Sequence, residues 1–287
     1  GRVHAIQNLS LSVEKGQIYG ILGPNGSGKT TTLSIATGIL KPDKGEFKWF
    51  GHAPVPAIRK KIGSLIEVPH FYPYLNLIDN LKIIARIKGY GKNDIERVLK
   101  SVNLFDRRKS RFKTLSLGMK QRLGIASTLL GDPNILVLDE PTNGLDPEGI
   151  AEVRELIIDE AKKGKTIIMA SHILSEVEKI CTHVAILKNG QLLEQGNVKA
   201  IITGEKLLEV NASNKDQLYS ILEECEFVTS VKDNNGNFMV TLKDGKNASE
   251  LNSYVFNKGI ILNELINHKK SLEAQFLELV KDQNNAI

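Results

Sequence analysis

The sequence predicts an α/β fold on a largely parallel central sheet, followed by a small α+β domain. Three observations predict it. Short apolar runs at residues 17–22, 62–66, 135–138 and 166–170 alternate with helical patterns, as strands buried on both faces do. Three of these runs end in chemistry-bearing residues, Gly23, Asp139 and Ser171-His172, and ligands in such sheets bind at strand carboxyl ends. Beyond about Gly204 the order becomes strand, helix, strand, strand, helix, strand, the split βαβ arrangement of ferredoxin-like domains.

A chain of 287 residues can bury a real core and form one or two domains. With 38 basic and 33 acidic residues the formal net charge is +5, a mild excess that fits proximity to anionic lipid or nucleotide as well as it fits no such partner at all. No apolar run is long enough to span a bilayer, and no signal-peptide pattern is present. Cys181 and Cys225 lie far apart without metal-ligand spacing, which reads as free thiols in a reducing compartment. The chain opens on Gly1 rather than Met, so further sequence upstream is expected.

Taken in order, residues 3–13 read as a strand that turns at Glu14-Lys15-Gly16 into the strand 17–22. Residues 23–31, Gly-Pro-Asn-Gly-Ser-Gly-Lys-Thr-Thr, stand between that strand and a helix closed by Gly38, the context of a phosphate-binding loop. Its glycines let successive N–H groups turn inward around phosphate oxygens, and the helix end adds partial positive charge. Pro24, Asn25, Gly26, Ser27, Gly28, Lys29, Thr30 and Thr31 are therefore read as nucleotide-binding, with Lys29 at the β- and γ-phosphates and the Thr30 hydroxyl on Mg²⁺.

Residues 41–45 form a turn and 46–50 a strand containing Trp49; the strand at 62–66 ends at Glu67. The stretch 68–75 is aromatic and proline-rich. Leu77, Leu81, Ile84 and Ile87 then fall at helical spacing, and Asn93-Asp94 can cap a second helix to Val102. Residues of about 70–130 thus read as a helical insertion. Ser116 is placed to cap the helix that follows it, and Asp146-Pro147 open another that runs to about 163. After the strand at 166–170 come a short helix, a strand at 184–187, a turn at Asn189-Gly190 and a strand at 192–194. The first domain closes at 203. The second, 204–287, reads as strands at 207–211, 228–232, 238–242 and 260–265, helices at 215–223 and 248–256, and a last helix at 271–280.

A phosphate loop by itself names no function. Asp139, after four apolar residues, is placed to hold Mg²⁺, and Glu140 beside it to orient or deprotonate an attacking water. Asp146 caps a helix whatever else it does, and His172 at the same sheet edge reads as a γ-phosphate sensor. Upstream lies Leu115-Ser-Leu-Gly-Met, with Gln121-Arg122 after it.

In this order and spacing, residues 1–203 resemble the ABC-type ATPases, whose signature motif is usually Leu-Ser-Gly-Gly-Gln. The resemblance implies ATP and Mg²⁺ as cofactors, with Lys29, Glu140 and His172 catalytic. It also implies a head-to-tail pair of ATP-binding subunits, identical or not, in which Ser116, Gly118 and Asp146 join the nucleotide-binding set. Leu117 and Met119 depart from the motif, so contacts across such a pair are expected to differ. Where the wider family has Gln as a water-mediated Mg²⁺ contact and hinge to the transporter, this chain has Glu67. In that respect, and in Phe71-Tyr-Pro73, it is similar to the bacitracin-resistance and lantibiotic-immunity exporters. That similarity implies an ATPase subunit at the cytoplasmic face of the cell membrane. It would be docked on a separate permease through the 67–74 region and export a peptide antibiotic or similar amphipathic substrate, with no nucleic-acid partner. The rival reading is a soluble ABC-type ATPase acting on nucleic acid or ribosomes; the coiled-coil insertion, zinc-binding cysteines or tandem second cassette usual there are missing from this sequence. The family's adenine-stacking aromatic is expected just upstream of Gly1, and Tyr19 reads as core. The C-terminal region resembles the accessory domain of some exporter ATPases.

Overall fold

Apolar runs with no polar face become the interior strands of a six-stranded sheet. The computed structural model describes residues 4–59, 61–67, 70–202, 206–234, 236–243, 245–268, 272–273 and 275–276. The strands are β1 (Ile18–Leu22), β2 (Ile62–Leu65), β3 (Ile135–Asp139), β4 (Thr166–Ser171), β5 (His183–Lys188) and β6 (Gln191–Asn197), ordered β2-β3-β4-β1-β5-β6. Pairing is parallel from β2 to β5, and β1, β3 and β4 are buried throughout. The register sets Leu65 against Leu138, Asp139 against Ala170, and Leu22 against Ser171. Gly23, Glu67, Glu140 and His172 therefore emerge along one carboxyl edge.

The helices of this part are α1 (Lys29–Ala36), α2 (Pro56–Arg59), α3 (Leu77–Lys88), α4 (Ile95–Ser101), α5 (Leu117–Thr128), α6 (Pro147–Lys162) and α7 (Leu174–Ile180). Asn76 caps α3 by accepting from the Asp79 N–H at 2.8 Å, and Gly89, in the left-handed region, ends it. The buried face of α3 is Leu77, Leu81 and Ala85; Ile84 is half-buried, and Ile87, counted with them from the spacing, is 80% exposed because ten residues of helix turn it off that face. Asn93-Asp94 also differ from expectation. Asp94 makes no capping bond; its carboxylate accepts from the Gly131 N–H at 2.8 Å, tying α4 to the end of α5 instead.

Two expected strands are not formed among the described residues. Over 4–13 the alternation is real, since Leu9, Leu11 and Val13 pack on the cluster of Tyr19, Ile21 and Leu33, but no ladder partner runs beside them. Around 46–50 only a bridge between Trp49 and His52 remains, and the Trp49 indole N–H is spent on Ala36 O at the end of α1, 2.7 Å away. Hydrophobic alternation specifies a face to bury; a strand also needs a neighbouring backbone.

The chain divides into compact units at residues 1–196 and 197–287. The second begins with α8 (Val198–Ile202). It continues through β7 (Lys206–Ala212), α9 (Lys215–Glu223), β8 (Val228–Asn234), β9 (Asn237–Leu242), α10 (Ala248–Asn257) and β10 (Leu262–His268). Its sheet is antiparallel with order β10-β7-β9-β8, the ferredoxin-like topology. Leu208, Val210, Phe238 and Val240 on one face meet Leu218, Leu222, Leu251 and Val255 of the two longer helices. A capping box between Asn247 and Glu250 opens α10. Most of the helix expected at 271–280 lies outside the described residues; the described ones, Leu272, Glu273, Gln275 and Phe276, are helical.

Candidate nucleotide site

β1 delivers the chain into a loop that only glycine can make. A Cβ on Gly23 would lie 2.3 Å from Leu187 O, and one on Gly28, at φ 100°, would lie 2.5 Å from Ala5 O. Within the loop the Ser27 N–H donates to Pro24 O at 3.1 Å. No side chain caps α1, so the first-turn N–H groups, beginning at Lys29, are left for an anionic ligand. They open on a cavity of about 570 Å³ lined by Asn25 to Thr31, Glu140, His4, Ala5, Gln7 and Asn189.

Lys29 is 6% exposed and donates from Nζ to Gly23 O at 2.8 Å and Pro24 O at 3.3 Å. Its ammonium also stands 3.6 Å from Glu140 Oε1. Glu140 sits in the left-handed region at φ 47°, and its N–H donates to Ala170 O at 3.0 Å, which aims the side chain back across the sheet edge. Its other oxygen, Oε2, is 2.8 Å from His172 Nδ1 and also takes the His172 N–H at 3.4 Å. An ionised carboxylate only accepts, so this contact puts a proton on Nδ1. The three residues read as catalytic are thus joined: cation, carboxylate, imidazole.

Asp139 is 3% exposed, and its Oδ1 has no hydrogen-bond partner among the described residues. Burial pushes its carboxyl above the usual range; the Thr30 hydroxyl, the Lys29 charge and the Glu67 N–H favour the ionised form, while the Glu140 charge opposes it. A buried carboxylate oxygen without a partner, beside a threonine hydroxyl and a phosphate cradle, fits a hard divalent cation. Glu67 stands at φ 59° and reaches Asp139 through its backbone; its exposed carboxylate makes no hydrogen bond or ion pair with a described residue. Among the described residues no group of three or more His, Cys, Asp or Glu is arranged to hold a metal.

Ser116, Gly118 and Asp146 lie elsewhere. Ser116 Oγ accepts the Met119 N–H at 3.2 Å and caps α5; Asp146 Oδ1 accepts the Gly149 N–H at 2.9 Å and caps α6. They share a separate cavity of about 420 Å³ with Leu117, Met119, Arg122 and Gly144, and no phosphate-loop residue lines it. Tyr19 is core, as read, with its hydroxyl 3.3 Å from Gln195 Oε1.

Sequence reasoning missed the wall formed by His4, Ala5, Gln7 and Asn189. The first three carry only a strand-like pattern, and Asn189-Gly190 reads as a plain turn. The Gly190 N–H donates to Ser27 O at 3.0 Å and the Gln7 N–H to Gly190 O at 2.8 Å, so this turn clamps the back of the phosphate loop.

The family described as ABC transporter matches residues 6–143. The bacitracin transport ATP-binding protein BcrA of Bacillus licheniformis is 38% identical over 98% of this chain and 94% of its own length. The lantibiotic transport ATP-binding protein SrtF of Streptococcus pyogenes is 40% identical over 67% of this chain and 84% of its own. Among solved structures, cbiO1 of Clostridium perfringens, part of the ABC transporter complex cbiONQ, superposes with a TM-score of 0.64 at 29% identity, covering 70% of this chain and 85% of that one. Among the described residues no helix is long and apolar enough to cross a membrane.

Proposed function

This chain belongs to the ATP-binding subunits of ABC transporters, and from that premise we propose that it powers export of a peptide antibiotic or similar amphipathic substrate through a separate permease. Its cassette architecture is that of an ATP-hydrolysing enzyme. The observation that carries the mechanistic reading is the chain of contacts Lys29–Glu140–His172 at the mouth of the phosphate cavity.

In the proposed reaction the phosphate-loop N–H groups and Lys29 bind the triphosphate, Lys29 exchanging its loose contact with Glu140 for phosphate oxygens. Glu140 takes a proton from the water whose oxygen attacks the γ-phosphorus, while the bond to the β–γ bridging oxygen breaks. His172, donating from Nδ1, holds that carboxylate in place. Thr30 and Asp139 would hold Mg²⁺, with Glu67 as a contact through water; the bound ion offsets charge on the transferring phosphoryl group.

The separation of the Ser116–Gly118–Asp146 cavity from the phosphate loop supports a head-to-tail pair, each subunit offering a capped helix end to the other's nucleotide. The exposed Tyr72 and Tyr74 support a permease contact beside Glu67, and hence a place at the cytoplasmic face of the membrane. Co-expression with the neighbouring membrane subunit tests the reading. Expected are co-purification and ATP-dependent peptide export that Lys29→Ala abolishes. Association with ribosomes or nucleic acid instead, with no polytopic partner, would overturn it.

A further inference from the structure

Five of the seven residues 107–113 are basic, and no part of the proposed ATPase mechanism uses them. Backbone bonds lay this stretch beside the aromatic segment. The Lys113 N–H donates to Pro73 O at 2.9 Å, the Phe112 N–H to Leu75 O at 2.9 Å, and the Ile78 N–H to Arg108 O at 3.3 Å. Beneath them the Phe71 and Phe112 rings meet at 5.1 Å, and Lys120 stands over Phe112 at 5.5 Å. The two segments therefore form one built edge rather than two loose loops.

Arg108 is engaged, stacked 4.2 Å over Phe105 and donating to Phe105 O. Arg107, Lys109, Arg111 and Lys113 are exposed and make no ion pair with a described residue. Next to them Tyr72 and Tyr74 are 50% and 65% exposed. Unneutralised Lys and Arg gathered on one edge is the composition of a surface that sits at lipid headgroups, because the cations attract anionic lipid. We propose that the basic stretch 107–113, held by backbone bonds beside the permease-facing segment 72–78, rests on an anionic bilayer surface and orients the subunit under its permease. The inference rests on the export reading for its geometry, because a permease received by Tyr72 and Tyr74 brings the hydrogen-bonded basic stretch to the same membrane face.

The test is flotation of the intact chain with vesicles of phosphatidylcholine alone, or of phosphatidylcholine and phosphatidylglycerol in equal parts. Binding is expected only to the anionic vesicles, and high salt should reverse it as screening shortens the reach of the charges. Each charge removed should weaken partitioning roughly fivefold, so the triple variant Lys109→Gln, Arg111→Gln, Lys113→Gln should lose about a hundredfold. Its basal ATPase should be unchanged, which reports an intact fold; if it is not, the single variants Lys109→Gln and Lys113→Gln, about fivefold each, carry the same test. Equal binding to both vesicle types, no binding to either, or full binding by the triple variant would overturn the proposal. So would normal flotation of that variant with loss of permease co-purification, which would assign the edge to an acidic protein segment. Tighter binding to an RNA oligonucleotide than to anionic vesicles would assign it to nucleic acid and also overturn it. The vesicles hold no permease, so a failure here leaves the export reading standing.

Discussion

Replacing Glu140 by Gln should stop turnover and tighten nucleotide binding at once, and the geometry says by how much. The amide keeps an oxygen for His172 Nδ1, 2.8 Å away in the native protein, and Gln is no worse than Glu at φ 47°, so the fold should survive. What goes is the proton acceptor. A positioned general base contributes about 10²–10⁴ in rate, or roughly 3–5 kcal/mol of barrier. What also goes is a negative charge 3.6 Å from the Lys29 ammonium. At an effective dielectric constant of about 20 that pair is worth at most about 5 kcal/mol. Solvent reaches Glu140, whose side chain is 20% exposed, and this brings the differential effect down to about 1–2 kcal/mol. Lys29 keeps its carbonyl contacts but loses its counter-charge, so ATP should bind roughly 5- to 30-fold tighter. Phosphate release measures the first effect, titration with a fluorescent ATP analogue the second, and gel filtration with ATP the closed pair that should accumulate. Turnover within tenfold of the native protein would remove Glu140 as the base. Weaker binding would refute the electrostatic argument even if turnover fell.

Mixing Lys29→Ala with Ser116→Arg should give ATP-dependent dimers that neither variant gives alone, because each damages a different cavity and one composite site stays whole; light scattering of the mixture checks it. Glu67→Gln should change basal ATPase by less than about tenfold, roughly 1.4 kcal/mol, since the Glu67 contact to Asp139 is made by the backbone, whereas export with the permease present should fall further. Loss of all ATPase in that variant would mean that the side chain acts in the chemistry. Lys88, on the last turn of α3, is pushed down by burial to about 8 while donating to Ser127 O at 2.9 Å. Its folded value lies below its ordinary one, so the unfolded chain binds more protons between the two, and stability should rise as pH climbs from about 8 towards 10. Lys88→Met should flatten that slope and raise stability at pH 7 by about 2 kcal/mol: about 3 for the relieved charge, less about 1 for the Ser127 carbonyl left without its donor. Urea melts at pH 7 and 9.5 measure both.

Much of the candidate site was legible because its parts are local. The phosphate loop is encoded by glycines at positions where a Cβ would strike Leu187 O or Ala5 O, and by the apolar strand and helix start on either side. The caps at Ser116 and Asp146 follow from residue type one step before a helix, and both form as read. The ferredoxin-like order of the second unit follows from alternation and turn residues. Such features depend on neighbours along the chain, where periodicity and backbone preference act directly.

Other features depended on what lies beside them in space. That Glu140 meets His172, 32 residues on, is decided by β3 pairing with β4 so that Asp139 faces Ala170. That His4, Gln7 and Asn189 wall the cavity at the phosphate loop is decided by backbone bonds from Gln7 to Gly190 and from Gly190 to Ser27, which no residue pattern announces. Asp94 looked like a cap and bonds Gly131 instead; residues 4–13 alternate like a strand and find no ladder. A pattern in the chain states which faces must be buried and which groups must be paired. Which partner each one finds is fixed by the order in which the strands stack, and that order comes from packing the whole core, not from any local stretch.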